Sequence, residues 1–468
     1  MKSYNFILGY KHIHFVGVGG ISMSALAKLC LHNGVATSGS DKTKTDITTE
    51  LEHLGAKIYY KHNKKNILGA DLVVFTTAVG QDNPEVQFAK TCGIPVLERA
   101  EFLGKVAKNY KNVIAVAGSH GKTTTCGMIG SIFKVAGLNP TMLVGGQTAS
   151  GNLILGDKQY LIVEACEYKE HFLKLLPNVA IIMNIDYDHP DYFKTATNYA
   201  LAFQKFAKKA KNMVFIDEKY SIFVPKATTF GSFGKYSAQH IKHFEDKIKF
   251  DVYKSGDFFA SIVLNAIGRY NILNALCAIS VADFYKIDKK HIALGLKKFV
   301  GIKRRYEYMG KLGTNVVITD YAHHPTQIKN CILATKEVYS KPITVVFEPH
   351  TYSRTKAFLN QFVGALSMAD NVILLPTYSA REKLIKGATS KNLFNTLQKK
   401  MDAVKYVRSY KKCLEQLKLL SNNIILILGA GSVINLAQQI KQNFLSSLNS
   451  KTTQNQISTP NLKTIKSK

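Results

Sequence analysis

The residues best placed to do chemistry are Gly118-Ser119-His120-Gly121-Lys122-Thr123-Thr124, set between an apolar run, Val113 to Ala117, and a helical pattern starting near Lys122. Strand, glycine loop and helix together let backbone N–H groups and a helix N-terminus cradle phosphate oxygens. In that arrangement Lys122 brings positive charge to the β- and γ-phosphates, and the Thr123 hydroxyl can ligate Mg²⁺. The spacing is two residues shorter than the standard nucleotide loop, so a plain turn is the competing reading. A lysine in such a loop is expected to stand exposed, and Lys122→Ala to cost turnover far more than stability.

Acidic and histidine residues gather at the ends of the next apolar runs. Glu164 ends Leu161-Ile162-Val163, and Asn184 to Asp191, with Asp186, Asp188 and His189, follows Val179 to Met183. At the C-terminal ends of parallel strands such groups lie beside a phosphate loop. Glu164 and His189 could hold a second divalent cation there, against the plainer reading that they cap helices. Gly17-Val18-Gly19-Gly20 follows a first apolar run, with Asp41 further on. This approaches a dinucleotide fingerprint, but Ser22 stands at the third glycine. A tight turn explains it as well as an anion site does.

The elements that must carry these residues alternate. Ile13 to Val16, Asp71 to Phe75 and Ile94 to Leu97 read as buried strands, and Ile21 to Cys30 as a helix. A second unit begins near Lys105, with strands at Val113–Ala117, Tyr160–Val163 and Val179–Met183 and a helix over about 268–282. A third starts near Gly301, with strands at Val316–Ile318, Ile343–Phe347, Val372–Leu375 and Ile424–Leu428. Strand and helix in this rhythm predict parallel, doubly wound sheets. From about Ser446 the chain turns polar and is expected to lack structure.

Composition narrows the class. The chain has 468 residues, 46% of them hydrophobic, which fits several globular domains. No apolar run approaches the roughly 20 residues of a membrane span. The start, with Lys2 and then Ala25-Leu26-Ala27, is too broken by Lys11, His12 and His14 for a secretory signal. The seven cysteines are scattered without a Cys-x-x-Cys pair, which suits a reducing cytoplasm and neither zinc nor disulfides. A net charge of +30 raises the question of nucleic acid. Only seven of the 62 basic residues are arginine, and the lysines are strewn along the whole chain, so solvated faces are the expectation and no nucleic-acid partner. Arg269, Arg304, Arg305, Arg354 and Arg381 sit in or beside motifs.

Taken in order, Gly118 to Thr125, Asn184 to Asp191, Gly268 to Ala275, Lys303 to Glu307 and Asp320 to Pro325 resemble the Mur ligase family, whose members join an amino acid to a UDP-sugar carboxylate. The resemblance runs from about His12 to Gly431. Within the family, His14 to Ala27, Asp320 to Pro325 and Phe347 to His350 look like the branch that adds L-alanine. The resemblance implies three α/β domains: a Rossmann-like UDP-sugar domain (1–104), a central P-loop ATPase-like domain (105–300) and a Rossmann-like C-terminal domain (301–445), before a tail (446–468). It implies ATP and Mg²⁺ as cofactors, and UDP-N-acetylmuramate and L-alanine as partners, in a monomer or weak homodimer. Residue by residue, Gly118 to Thr124 would bind ATP phosphates, with Thr123, Glu164 and His189 on Mg²⁺. Asn271 and Asn274 would meet adenine, Arg305 the phosphates and Asp320 the ribose. Gly17, Gly19, Gly20, Ser40 and Asp41 would hold the UDP-sugar, and His323 and Arg354 would lie near the acceptor and alanine. Lys122, Arg305, His323 and Arg354 are the implied catalytic set. Tyr270 replaces a histidine common in the adenine motif, and Thr351 stands where many relatives carry an arginine. A tripeptide-recycling ligase of the same family and a basic nucleic-acid-binding ATPase are the alternatives.

Overall fold

The computed structural model describes residues 9–148, 151–380 and 382–457; Lys2, Arg381 and the last part of the expected tail, 458–468, lie outside the described residues. The chain divides into two compact units that meet at Lys303 and Arg304.

The first unit carries two sheets. One has five parallel strands, in the order Lys57–Tyr59, Ala36–Ser40, His12–Val16, Leu72–Phe75 and Val96–Glu98. Ile13, Phe15, Leu72, Val73 and Val74 are fully buried, because a parallel sheet covered on both faces needs apolar side chains in both directions. Strand order reverses beside His12–Val16, so the turn after it, which opens the helix Ile21–His32, lies at a topological switch point.

The second sheet has ten strands. At its centre Met213–Asp217, Val179–Ile182, Asn112–Ala117, Asp157–Glu164 and Pro140–Thr148 run parallel. The helices Lys122–Val135, Arg269–Phe284 and Lys289–Lys297 cover one face through Ile129, Ile132, Leu276, Ile279 and Leu296. An antiparallel meander, Tyr236–His243, Ile248–Lys254 and Asp257–Leu264, extends one side. One apolar cluster joins the two sheets, from Phe15 and Leu26 through Phe102 and Leu103 to Ala115 and Leu161, which is why they form a single unit. The helix Arg99–Ala107 lies in that cluster and continues through residue 105.

The second unit is built on six strands, in the order Glu307–Leu312, Asn315–Asp320, Ile424–Leu428, Ile343–Phe347, Asn371–Leu374 and Val404–Tyr406. Only Glu307–Leu312 is antiparallel to its neighbour. Val433, Leu436, Ala437 and Ile440 of the last segment enter its core. That anchored start corrects the expectation for the tail: the helix Ile434–Ile457 runs on past residue 446, since extending a formed helix costs far less than nucleating one. The expected α/β class, with a sheet in each of the three stretches, is what the chain adopts. Among the described residues no helix is long and apolar enough to cross a membrane.

Candidate active site

The glycine loop lies where the sequence places it, between the strand Asn112–Ala117 and the helix Lys122–Val135. Gly121 caps that helix at φ 83°, and a Cβ there would stand 2.6 Å from Asn274 Oδ1, so both conformation and space require glycine. The loop is braced on its far side. His120 N donates to Asn184 Oδ1 (3.0 Å) and Asn184 Nδ2 to His120 O (3.1 Å), while Ser119 Oγ reaches Asp186 O and Tyr199 Oη. His120 Nε2 lies 3.1 Å from Asp186 Oδ2. The Asn184 to Asp191 segment thus fixes the loop's shape.

Lys122 does not stand exposed as expected. Its side chain is 17% exposed, its ammonium donates to Gly118 O, and it pairs with Glu167 at 2.9 Å. Burial, the largest single influence, would lower the lysine's pKa, but the charge and hydrogen bond of Glu167 together with the nearby Cys166 and Glu164 outweigh it and the pKa rises. Glu167, absent from the sequence-level candidates, is the centre of this group. It is buried, with Lys122 on one side and His189 Nε2 at 3.5 Å on the other. Burial raises its pKa, yet Lys122 and His189 more than reverse this and hold the carboxylate ionised down to about 2. His189 is placed by a left-handed backbone (φ 58°), by its N–H donating to Asp188 Oδ1 (2.7 Å) and by the Tyr168 ring 4.8 Å away. Glu164 and His189, expected to share a cation, do not touch each other directly. Glu164 accepts from Gly145 N at 2.5 Å, and Glu167 takes the place beside His189. Glu167 follows Glu164 by three residues, past the end of the strand, and only its position in a polar loop hinted at it.

Asn271 and Asn274, both buried, begin the helix Arg269–Phe284. Asn271 Nδ2 donates to Ile267 O (2.7 Å), Asn274 Nδ2 to Asn271 Oδ1 (3.0 Å), and Thr125 Oγ1 to Asn274 Oδ1 (3.3 Å). These amides tie the helix start to the glycine loop. Thr123 is buried and Thr124 half-buried at the first turn of the loop's own helix.

The N-terminal glycine turn differs from an open cradle. Gly17 N and Val18 N donate to Ser40 O (2.8 and 3.0 Å), and Gly20 N to Gly17 O. Gly19 N donates to Asp41 Oδ2 (2.9 Å). These N–H groups already have internal acceptors, so Gly17, Gly19, Gly20, Ser40 and Asp41 shape the turn, and a diphosphate could not take their donors without displacing them. Ser40 is buried, and its hydroxyl donates to Glu85 Oε2 (2.5 Å). Nearby, a cavity of about 280 Å³ runs between the helix Ile21–His32 and the glycine loop, with Arg99, Lys122 and Glu164 in its wall.

In the second unit Asp320 ends the strand Asn315–Asp320 and accepts from Tyr306 N (2.8 Å) and Ala322 N (2.7 Å); its burial raises its pKa. It staples the Arg304-Arg305-Tyr306 turn, where Arg304 and Tyr306 have positive φ. Both arginines lie on the Tyr321 ring, at 4.8 and 5.1 Å. Arg354 is buried, and its Nη1 donates to His350 Nδ1 (3.1 Å). The His350 ring stacks on Tyr378 at 5.6 Å and lies 5.8 Å from His323. His323 and Arg354 are thus brought together through His350. Thr351 accepts from Arg354 N (3.4 Å) and caps the short helix Tyr352–Ala357.

A phosphate loop between strand and helix, with a buried Glu167 flanked by the half-buried Lys122 and His189 at its mouth, points to a nucleotide-phosphate-binding α/β protein. Family comparisons narrow the class. Residues 12–111 match the profile described as Mur ligase family, catalytic domain; 116–282 match the Mur ligase middle domain; 304–431 match the Mur ligase, glutamate ligase domain. The chain belongs to the Mur ligase family. It is 39% identical to the UDP-N-acetylmuramate--L-alanine ligase of Clostridium novyi over 93% of this chain and 98% of that one. With the enzyme of that name from Clostridium tetani it shares 41% over 92% and 98%. Among solved structures, the UDP-N-acetylmuramate-alanine ligase of Thermotoga maritima superposes with a TM-score of 0.81 at 31% identity, covering 94% of this chain and 100% of that one.

Proposed function

We propose that the protein is an ATP-dependent ligase that joins L-alanine to the lactyl carboxylate of UDP-N-acetylmuramate, in the cytoplasm. The observation that carries the reading is end-to-end likeness to ligases of that name, at about 40% identity with more than nine-tenths of both chains covered. A phosphate loop whose lysine lines a cavity fits the same activity.

The chemistry runs in two transfers. A carboxylate oxygen of the sugar attacks the γ-phosphorus, the bond from phosphorus to the ADP oxygen breaks, and an acyl phosphate forms. The alanine amine then attacks the acyl carbon, the bond to phosphate breaks, and the amide forms as nitrogen loses a proton. Phosphoryl transfer of this kind asks for positioning and charge neutralisation more than covalent help. Lys122 and the loop N–H groups serve the triphosphate. Gly118 to Thr124, Asn271 and Asn274 are the residues we assign to its cradle, and Arg305 and Asp320 are also assigned to ATP. His323 and Arg354, joined through His350, serve the amino acid. Three functional stretches, divided near 104, 300 and 445, follow from this assignment.

Mg²⁺, when bound, supplies charge neutralisation on the phosphates. The residues fit it: Glu167 is a buried, ionised oxygen donor beside His189, and Thr123 offers a hydroxyl at the loop. Among the described residues no group of three or more acidic, histidine or cysteine side chains forms a complete cage, and Mg²⁺ is commonly held by one or two carboxylates with phosphate oxygens completing the shell.

The test is phosphate release from Mg-ATP with UDP-N-acetylmuramate, with and without L-alanine. Release that requires both supports the reading. Release with the sugar that responds to the tripeptide and not to alanine would replace the acceptor, and ATP turnover indifferent to the sugar would overturn the proposal.

A further inference from the structure

The cavity between the helix Ile21–His32 and the glycine loop contains a cation that no part of the proposed mechanism uses. Arg99 opens the helix Arg99–Ala107 and lines this cavity together with Lys122. Its guanidinium is held from two sides: Nη1 donates to Ser22 Oγ (3.1 Å) and Nη2 to His171 Nδ1 (3.2 Å). A guanidinium only donates, so Nδ1 is the unprotonated ring nitrogen. His171 Nε2 in turn lies 2.8 Å from Glu98 Oε1. Burial, with the Arg99 charge adding to it, lowers the His171 pKa to about 4, so the accepting form persists at neutral pH. Two of the five N–H groups are thus engaged, and three remain, including one on each terminal nitrogen.

The inference rests on the ligase reading above. A carboxylate that takes the γ-phosphoryl group must approach a triphosphate, and like charges at such separations repel. The approach needs a cation on the side of the carboxylate away from ATP. Of the two cations lining the cavity, Lys122 belongs to the phosphate loop and its carboxylate Glu167; Arg99 is the other. Glu164, also in the wall, already accepts from Gly145 N. Much of the remaining wall, including Leu103, Leu143 and Val163, is apolar. One fixed guanidinium with free N–H groups, in a wall where Lys122 and Glu164 are already partnered and much of the rest is apolar, matches a single carboxylate, which its planar fork can bind at two oxygens. A diphosphate would seek several N–H donors, and the glycine turn, whose N–H groups already have internal acceptors, is not in this wall.

We propose that Arg99 receives the lactyl carboxylate of the sugar nucleotide and holds it facing the phosphate loop, with Ser22 and His171 fixing the guanidinium.

The experiment is calorimetric titration of full-length protein, parent and the variants Arg99→Lys and Arg99→Gln, with UDP-N-acetylmuramate, UDP-N-acetylglucosamine and ATP. UDP-N-acetylglucosamine is the same sugar nucleotide without the lactyl group, so its binding also reports that each variant is folded. The expected result is that both variants weaken UDP-N-acetylmuramate roughly 10- to 100-fold, as for a lost charge-assisted hydrogen-bond pair. Binding of UDP-N-acetylglucosamine and ATP should change by less than about threefold. Equal losses for both sugar nucleotides would place Arg99 on the diphosphate and overturn the proposal. So would unchanged UDP-N-acetylmuramate binding, or a loss confined to ATP. If Arg99→Gln fails to fold, Arg99→Lys decides, because it keeps the charge and loses the fork. A parent protein that binds neither sugar nucleotide would instead overturn the ligase reading itself.

Discussion

At the scale of single residues, two buried carboxylates govern how the first unit responds to change. Glu167 is held ionised by Lys122 and His189, so Lys122→Ala should do more than slow the reaction. Loss of the phosphate-loop cation is expected to reduce kcat at least about 100-fold. It also leaves a buried carboxylate short of its main partner, which should cost roughly 1–3 kcal/mol, visible as a lower Tm. Adding Glu167→Gln to Lys122→Ala should restore most of the Tm and none of the turnover; a Tm unmoved by Lys122→Ala would mean the ion pair adds no stability. Glu85 is the second case. It accepts from Ser40 Oγ, Asn66 Nδ2 (2.6 Å) and Asn63 N, with His62 Nδ1 at 3.0 Å and His14 Nε2 at 3.8 Å. Burial raises its pKa, but His14, Ser40, His62 and Asn66 together carry it from 4.5 down to about 2. A carboxylate with a depressed folded pKa stabilises above its unfolded value, and the benefit is lost as pH falls from about 4.5 toward 2. Glu85→Gln should therefore cost on the order of 3 kcal/mol at pH 7 and much less near pH 3, measured by urea unfolding at both pH values. A penalty equal at both would contradict an ionised Glu85.

Elements show why some of this was legible and some was not. Strands such as Val113–Ala117 and Ile343–Phe347 are continuous apolar runs buried on both faces, and the glycine loop after the first has a recognisable residue order. Those signals are local. The meander over 236–264 alternates buried Ile248, Phe250 and Val252 with Lys249 and Asp251, a weaker pattern that lysine-rich composition blurs. Glu167 and Arg99 were missed as site residues because their roles arise from contacts with residues 22 to 77 positions away, such as Glu167 to Lys122 and His189 and Arg99 to Ser22 and His171. The positions of helices matter equally. Gly295 in the helix Lys289–Lys297 packs so closely on the loop helix that an added Cβ would lie 2.5 Å from Ile132 Cα, and Ser131 Oγ donates to Gly295 O (2.7 Å). Backbone cannot yield as a flexible side chain can, so Gly295→Ala should push the helices apart at a cost of about 1–3 kcal/mol. Because the moved helix begins at Lys122, KM for ATP should rise along with the fall in Tm. A fall in Tm with unchanged KM would show that the loop is held by Asn184 and Asn274 independently of its helix.

For the molecule as a whole, the charge of +30 and the division into two units lead to different expectations. Lysines spread over every segment are expected to give a diffuse positive potential. The units, in contrast, each have a core of their own: one cluster runs from Ile13 to Ile216, and another is confined to Met309 through Ile440. Separate cores favour separate unfolding steps, and enthalpy scales with size at about 0.7 kcal/mol per residue. Scanning calorimetry should show two transitions, the larger in enthalpy belonging to the unit that ends at Lys303. Arg99, proposed to receive the carboxylate of the sugar nucleotide, lies in that unit. UDP-N-acetylmuramate at about 100 times its Kd should stabilise it by roughly 2.7 kcal/mol and raise the midpoint of the larger transition alone. If both midpoints rose together, either the second unit would contribute to sugar binding or the two would unfold as one. If only the smaller rose, the assignment of the sugar nucleotide to the first unit, and with it the role of Arg99, would fail.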